Sequence, residues 1–163
     1  MTKDQYEYIA RVIGRLANKA PSLFPDDPNW QGRTGSYLCV TGARLGLPIY
    51  QPALIGIVSP EKSDRYFSLS QEKPRRLSQH PEHLSSWQSR NPDADQYGGA
   101  IKMGDKNFSL SGYPELGDEA LSLIGGEVYC EFLLFAVERA KEIVRLSNNP
   151  YWAKLRSHLR NFL

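Results

Sequence analysis

Tyr6, Ile9, Ile13 and Leu16 recur at spacings of three, four and three, which stacks them on one face of a 3.6-residue turn. The spacing predicts an amphipathic helix over residues 1–20. Thr2 followed three residues later by Gln5 has the form of a capping box, and Pro21 is expected to end the helix. Pro21 to Gly35 carries turn chemistry (Pro25, Asp26, Asp27, Pro28, Asn29, Gly32) around one large anchor, Trp30. From Ser36 to Leu47 the apolar residues Leu38, Val40 and Leu45 match neither period well. This stretch reads as a short helix stopped by Gly46.

The middle of the chain shows a repeated order of events. Ala53 to Val58 is a continuous apolar run of the kind buried on both faces, and Ser59 to Asp64 is a polar turn. Tyr66 to Ser70 alternates like a half-buried strand, and a polar helical stretch runs on from Ser70 to Pro81. The order then recurs. Gly99 to Met103 reads as a strand, Gly104-Asp105-Lys106 as a tight turn and Asn107 to Ser111 as a strand. A helix follows from Pro114. Phe-Ser-Leu-Ser occupies 67–70 and 108–111, the same place in both units. Beyond residue 127 the chain is helical, broken at Asn148-Asn149-Pro150, with Trp152, Leu155, Leu159 and Phe162 on the last stripe. These elements predict a single α/β (α+β) domain over 1–163. Its antiparallel sheet is built from two hairpins within 53–125, flanked by the N-terminal helix and by C-terminal helices over 127–163.

Residues 98–125 carry Gly98, Gly99 and Ile101, a Gly104 turn, a strand ending Ser111-Gly112, and a helix with Asp118-Glu119-Ala120. This stretch resembles the GlcG/haem-binding-protein family, whose members have a profilin-like sheet flanked by helices. The resemblance implies a profilin-like architecture here. The family's Val-Val-Asp-x-x-Gly hairpin is replaced by Gly-Ile-Val-Ser-Pro-Glu, and no haem- or iron-binding residue transfers by position. Shared fold would not fix function in any case.

Composition narrows the classes. Twenty Lys and Arg against 18 Asp and Glu give a net charge of +2, which offers no global attraction to nucleic acid or anionic lipid. The longest mostly apolar run, Val128 to Val137, is interrupted by Glu131 and covers half of the roughly 20 residues a membrane span needs, so no membrane association is expected. Met1 to Gln5 lacks the layout of a secretion signal, and Cys39 and Cys130 form no disulfide framework or metal spacing. A cytoplasmic protein is expected. The charge is unevenly spread. Asp105 to Glu138 holds seven acids and one base, and Arg139 to Leu163 holds six bases and one acid. Docking of this basic tail on the acidic helices, of the same chain or a neighbour, is favoured over nucleic-acid binding.

Nucleotide-binding, hydrolase-elbow and metalloprotease motifs are absent, no catalytic residue is assigned, and the cofactor is unknown. The richest polar stretch is 80–97. Its ligand-binding candidates are His83, Trp87, Arg90, Asp93, Asp95 and Tyr97. Arginine offers a planar fork for carboxylate or phosphate, and tryptophan a flat apolar wall. His80 and His83 could share a metal with Asp93 or Asp95, but spacing places no third ligand, so no metal is assigned. The residues are equally those of a solvated helix start. Cys39 and Cys130 read as buried thiols. The preferred expectation is a non-catalytic module that binds a small molecule or self-associates. The alternatives are an enzyme working through His83, Arg90, Asp93 or Asp95, and a nucleic-acid-associated protein using the last helix.

Overall fold

The computed structural model describes residues 1–162; Leu163, the last residue of the expected C-terminal helical segment, lies outside them. Helix α1 (Lys3–Leu23) begins as its sequence dictates. The Thr2 amide donates to Gln5 Oε1 at 2.8 Å and the Gln5 amide to Thr2 Oγ1 at 3.2 Å. Tyr6, Ile9, Ile13 and Leu16 are all buried. The helix runs two residues past Pro21, because the missing amide removes only one ladder bond and Phe24 still donates to the Ala20 carbonyl.

Four antiparallel strands follow: β1 (Gly35–Gly42), β2 (Ala53–Gly56), β3 (Ala100–Met103) and β4 (Lys106–Ser111), in the order β2-β1-β4-β3. The mixed α+β class and the antiparallel sheet are as expected, but two elements are not. Residues 36–42, read as helix, form the central strand β1. Both faces of β1 are covered, so the period-two alternation is masked. Tyr66 to Ser70, read as a strand, lies within α2 (Pro60–Ser78). The first hairpin is therefore β1–β2, not a pairing of 53–58 with 66–70, and the polar turn at 59–64 opens a helix instead.

The register sorts the sheet into two unlike faces. Leu38 opposite Leu110 and Val40 opposite Phe108 join Ile55, Ile101 and Met103 beneath α1 and α3 (Glu115–Tyr129). Cys39 opposite Ser109 and Thr41 opposite Asn107 face the other way, beneath α2. α3 is buried without interruption from Gly117 to Val128. The continuous helix expected beyond 128 is instead divided: Glu131 and Phe132 adopt left-handed backbone (φ 51° and 57°), and α4 (Leu134–Ser147) starts afresh. The basic tail folds back on its own chain. From α5 (Trp152–His158), the Trp152 indole donates to Glu127 Oε1 at 2.9 Å and Arg156 Nε to Glu127 Oε2 at 2.6 Å. Among the described residues no helix is long and apolar enough to cross a membrane.

The chain leaves β4 through Gly112 at φ 148°, where an added Cβ would lie 2.3 Å from the Gly35 carbonyl oxygen. The conformation and the contact both demand glycine. Gly112→Ala is expected to destabilise the fold by about 2–6 kcal/mol in urea denaturation. An unchanged midpoint would show that this turn does not need its close approach to β1.

Candidate ligand cleft

α2 sets a stripe of side chains three and four residues apart, Lys62, Arg65, Tyr66, Leu69 and Lys73, against the end of β4. The first turn of α3 and the loop at Gln31–Arg33 complete the walls. Between them is a cleft of about 680 Å³, within the range of small-molecule sites.

Its floor is a buried ion pair. Lys73 Nζ donates to the Leu110 carbonyl at 2.7 Å and lies 3.4 Å from Asp118 Oδ2, with both side chains 3% exposed. Asp118 also accepts the amides of Gly112 (3.2 Å) and Tyr113 (3.1 Å). Burial pushes the Asp118 carboxyl upward, while the Lys73 ammonium and these two amides pull it back. Gly99, at φ 114°, leaves room for the pair: a Cβ there would stand 2.9 Å from Lys73 Nζ. Tyr113 is buried with a hydroxyl that has no hydrogen-bond partner among the described residues. Its own burial, then the Asp118 charge, raises its pKa.

The rim is cationic. Arg33 Nη1 donates to the Tyr66 hydroxyl (3.1 Å) and the Gly112 carbonyl (3.2 Å). Among the described residues, neither Arg33 nor Lys62 forms an ion pair. The carboxylates of the cleft are already engaged: Asp118 by Lys73, and Glu115 by Arg90 Nε (2.8 Å) and the Gly98 amide (2.6 Å).

The structure divides the candidates from 80–97. Tyr97 lines the cleft. Asp95 holds Arg65 from outside it at 2.6 Å and raises the arginine's pKa. Arg90 lies over the Trp87 ring, 5.2 Å from its centroid, and restrains Glu115. Asp93 is exposed and forms no ion pair among the described residues. His83 is outside the cleft, against Glu82. His83, Arg90, Asp93 and Asp95 do not converge on one centre. The segment is two short 3₁₀ turns, Ser86–Ser89 and Pro92–Ala94, and not a helix start.

What holds that segment is a residue the sequence did not single out. Arg76, buried on α2, donates to the carbonyls of Ser86 (3.1 Å), Ser89 (2.9 Å) and Tyr97 (2.6 Å), and Glu72 fixes its other edge at 2.7 Å. Its only sequence signal is its three-residue spacing from Lys73 within a helix. Lys73 and Arg33 were missed for the same reason, since their neighbours come from distant elements. Comparison with family models, with curated proteins and with solved structures finds no match to this chain.

Two measurements follow from the buried groups. Asp118→Asn leaves the Lys73 charge without its partner and should cost about 3–5 kcal/mol in urea denaturation at pH 7. Lys73→Met/Asp118→Asn should cost clearly less than the sum of the single changes, and strict additivity would show the two groups to be uncoupled. Cys39 is fully buried under α2, and burial pushes its thiol up to about 12. It should stay protonated at pH 8 and resist an aromatic disulfide reagent until the protein is unfolded. Rapid labelling of Cys39 in native Cys130→Ser protein would contradict its placement.

Proposed function

We propose that the protein is a non-catalytic binding module that takes a small molecule bearing a carboxylate or phosphate into the cleft. The observation that carries this reading is the imbalance of the cleft wall. Arg33 and Lys62 form no ion pair among the described residues, while the two acids that line the cleft, Asp118 and Glu115, are held by Lys73, Arg90 and backbone amides; Glu61, next to Lys62, is exposed at the adjoining groove. An anion entering here meets an arginine fork and an ammonium without displacing an internal ion pair. The Tyr66 and Tyr97 rings supply flat walls for the rest of the ligand. The resemblance to the GlcG/haem-binding-protein family is compatible with this reading, since Gly112 and Asp118, two of the matching residues, line the cleft.

Inorganic phosphate, phosphate monoesters and short dicarboxylates would be titrated into the whole chain, with melting temperature and heat of binding as readouts. At least one should stabilise the fold, by about 2.7 kcal/mol at a hundred-fold excess over Kd. Arg33→Ala/Lys62→Ala should weaken that ligand at least ten-fold while leaving the ligand-free melting temperature within a degree or two. A panel without effect, or an equal effect on the double variant, removes the proposal.

Self-association is a second reading, favoured by three consecutive apolar residues in solvent: Leu133 (57% exposed), Leu134 (75%) and Phe135 (52%) at the start of α4. Sedimentation velocity should then show a species heavier than one chain that Leu134→Glu abolishes. A monomer at 100 µM, a concentration chosen as roughly that where weak dimers form, would exclude it.

A further inference from the structure

α2 ends in a tight turn that gathers three metal-ligating side chains, none of which lines the cleft. The His80 amide closes on the Leu77 carbonyl (3.2 Å) and the His83 amide on the His80 carbonyl (3.0 Å). This winding brings the two imidazoles together in a near-parallel stack, centroids 4.6 Å apart and planes 15° off. Glu82, between them in sequence, reaches both: its Oε1 lies 3.5 Å from His80 Nδ1 and 3.4 Å from His83 Nε2. The three ligand atoms all lie within 4.8 Å of one another.

We propose that His80, Glu82 and His83 form a binding site for a divalent transition metal of the zinc class, with water completing the shell. In a tetrahedral site with bonds of about 2.0–2.1 Å, neighbouring ligand atoms are about 3.4 Å apart. Both distances to the carboxylate already match this. The near-parallel rings must turn for their in-plane lone pairs to converge on one ion, and the half-exposed His80 ring has the freedom to do so. Two imidazoles and one carboxylate are a nitrogen-rich set that suits zinc, nickel or copper over magnesium or calcium.

The surroundings set the strength. Lys102 Nζ is held by the carbonyls of Pro81 (3.1 Å) and His80 (3.4 Å), and Arg139 is the next cation, so the site starts from a positive background. The buried Nδ1 of His83 has no acceptor among the described residues, so a metal on Nε2 would leave the opposite N–H unpaired. A missing partner of this kind weakens a site by about 10–100-fold. The expected dissociation constant is therefore roughly micromolar, weaker than in structural zinc domains.

The test is calorimetric titration of the whole chain with zinc alone, in a buffer that does not chelate it, repeated at pH 6 and pH 7.5. One equivalent should bind, more tightly at pH 7.5, because both rings must be neutral to ligate. His80→Ala and His83→Gln should each weaken binding at least ten-fold. His158→Ala, which alters a histidine on α5 away from the turn, should change nothing. X-ray absorption of the zinc-loaded protein should show two imidazoles. The site is refuted by absence of saturable binding up to a millimolar ligand concentration, by binding that survives His80→Ala, by loss on His158→Ala, or by an oxygen-only shell. Because His80 is the more exposed of the two rings, its substitution keeps the test sound should His83→Gln fail to fold.

Discussion

The buried contact between Lys73 and Asp118 fixes more of the structure than any other single interaction. An ammonium and a carboxylate removed from water are costly unless each finds several partners. Here the partners come from four places. α2 supplies the lysine, β4 the Leu110 carbonyl, α3 the aspartate, and the turn after β4 the amides of Gly112 and Tyr113. The entry to β3 contributes an absence, since Gly99 has no Cβ to block the ammonium. Asp118 sits in the first turns of α3, where the helix dipole favours its negative form. Weakening this contact would loosen α2 from the sheet and the Ser111–Tyr113 turn from α3 together, and with them both walls of the cleft.

That contact also explains the unequal faces of the sheet. The side toward α1 and α3 is packed with Leu38, Val40, Ile101, Phe108 and Leu110. The side toward α2 carries Cys39, Thr41, Asn107 and Ser109, and α2 answers with Ser70, Lys73 and Arg76. Asn107 Nδ2 donates to the Pro74 carbonyl at 3.2 Å. A polar layer of this kind holds a helix by specific bonds more than by area, so α2 is positioned by Lys73 and Arg76 and only secondarily by Leu69 and Leu77. Arg76 then carries the 86–97 segment, which delivers Tyr97 to the cleft and Asp95 to Arg65.

The two copies of Phe-Ser-Leu-Ser show how far the sequence could be read. In 108–111 the register puts Phe108 and Leu110 into the apolar core and both serines under α2, as alternation predicts. In 67–70 the same four residues are helical, because Leu69, Lys73, Arg76 and Leu77 continue the buried stripe at spacings of three and four. Lysine and arginine do not register as core positions, so that stripe was invisible and the short alternation won. β1 failed for the converse reason: with Cys39 and Thr41 covered as fully as Leu38 and Val40, and Tyr37 partly covered, its two faces scarcely contrast. α1 was legible because one of its faces meets water. Of the cleft, only Tyr97 was foreseen. Its other groups are drawn from residues 31 to 118 and become neighbours only through the β1–β4 pairing and the packing of α2 on β4.

The charge distribution completes the connection between fold and binding. The acidic stretch from Asp105 to Glu138 looks, in sequence, like a surface that would repel anions. Three of its acids are instead inside the protein. Asp118 faces Lys73, Glu127 faces Arg156 and the Trp152 indole, and Glu119 is held by Ser85, Ser147 and Asn149. Among the described residues Glu119 has no cation against it. Its burial raises the carboxyl pKa, and three neutral donors oppose that rise. With these charges turned inward, they are poorly placed to screen the cleft mouth, where Arg33 and Lys62 stand with Glu61 as their nearby exposed acid. A chain of net charge +2 can thus present cations at a cleft without a basic composition, because folding turns Asp118, Glu119 and Glu127 inward.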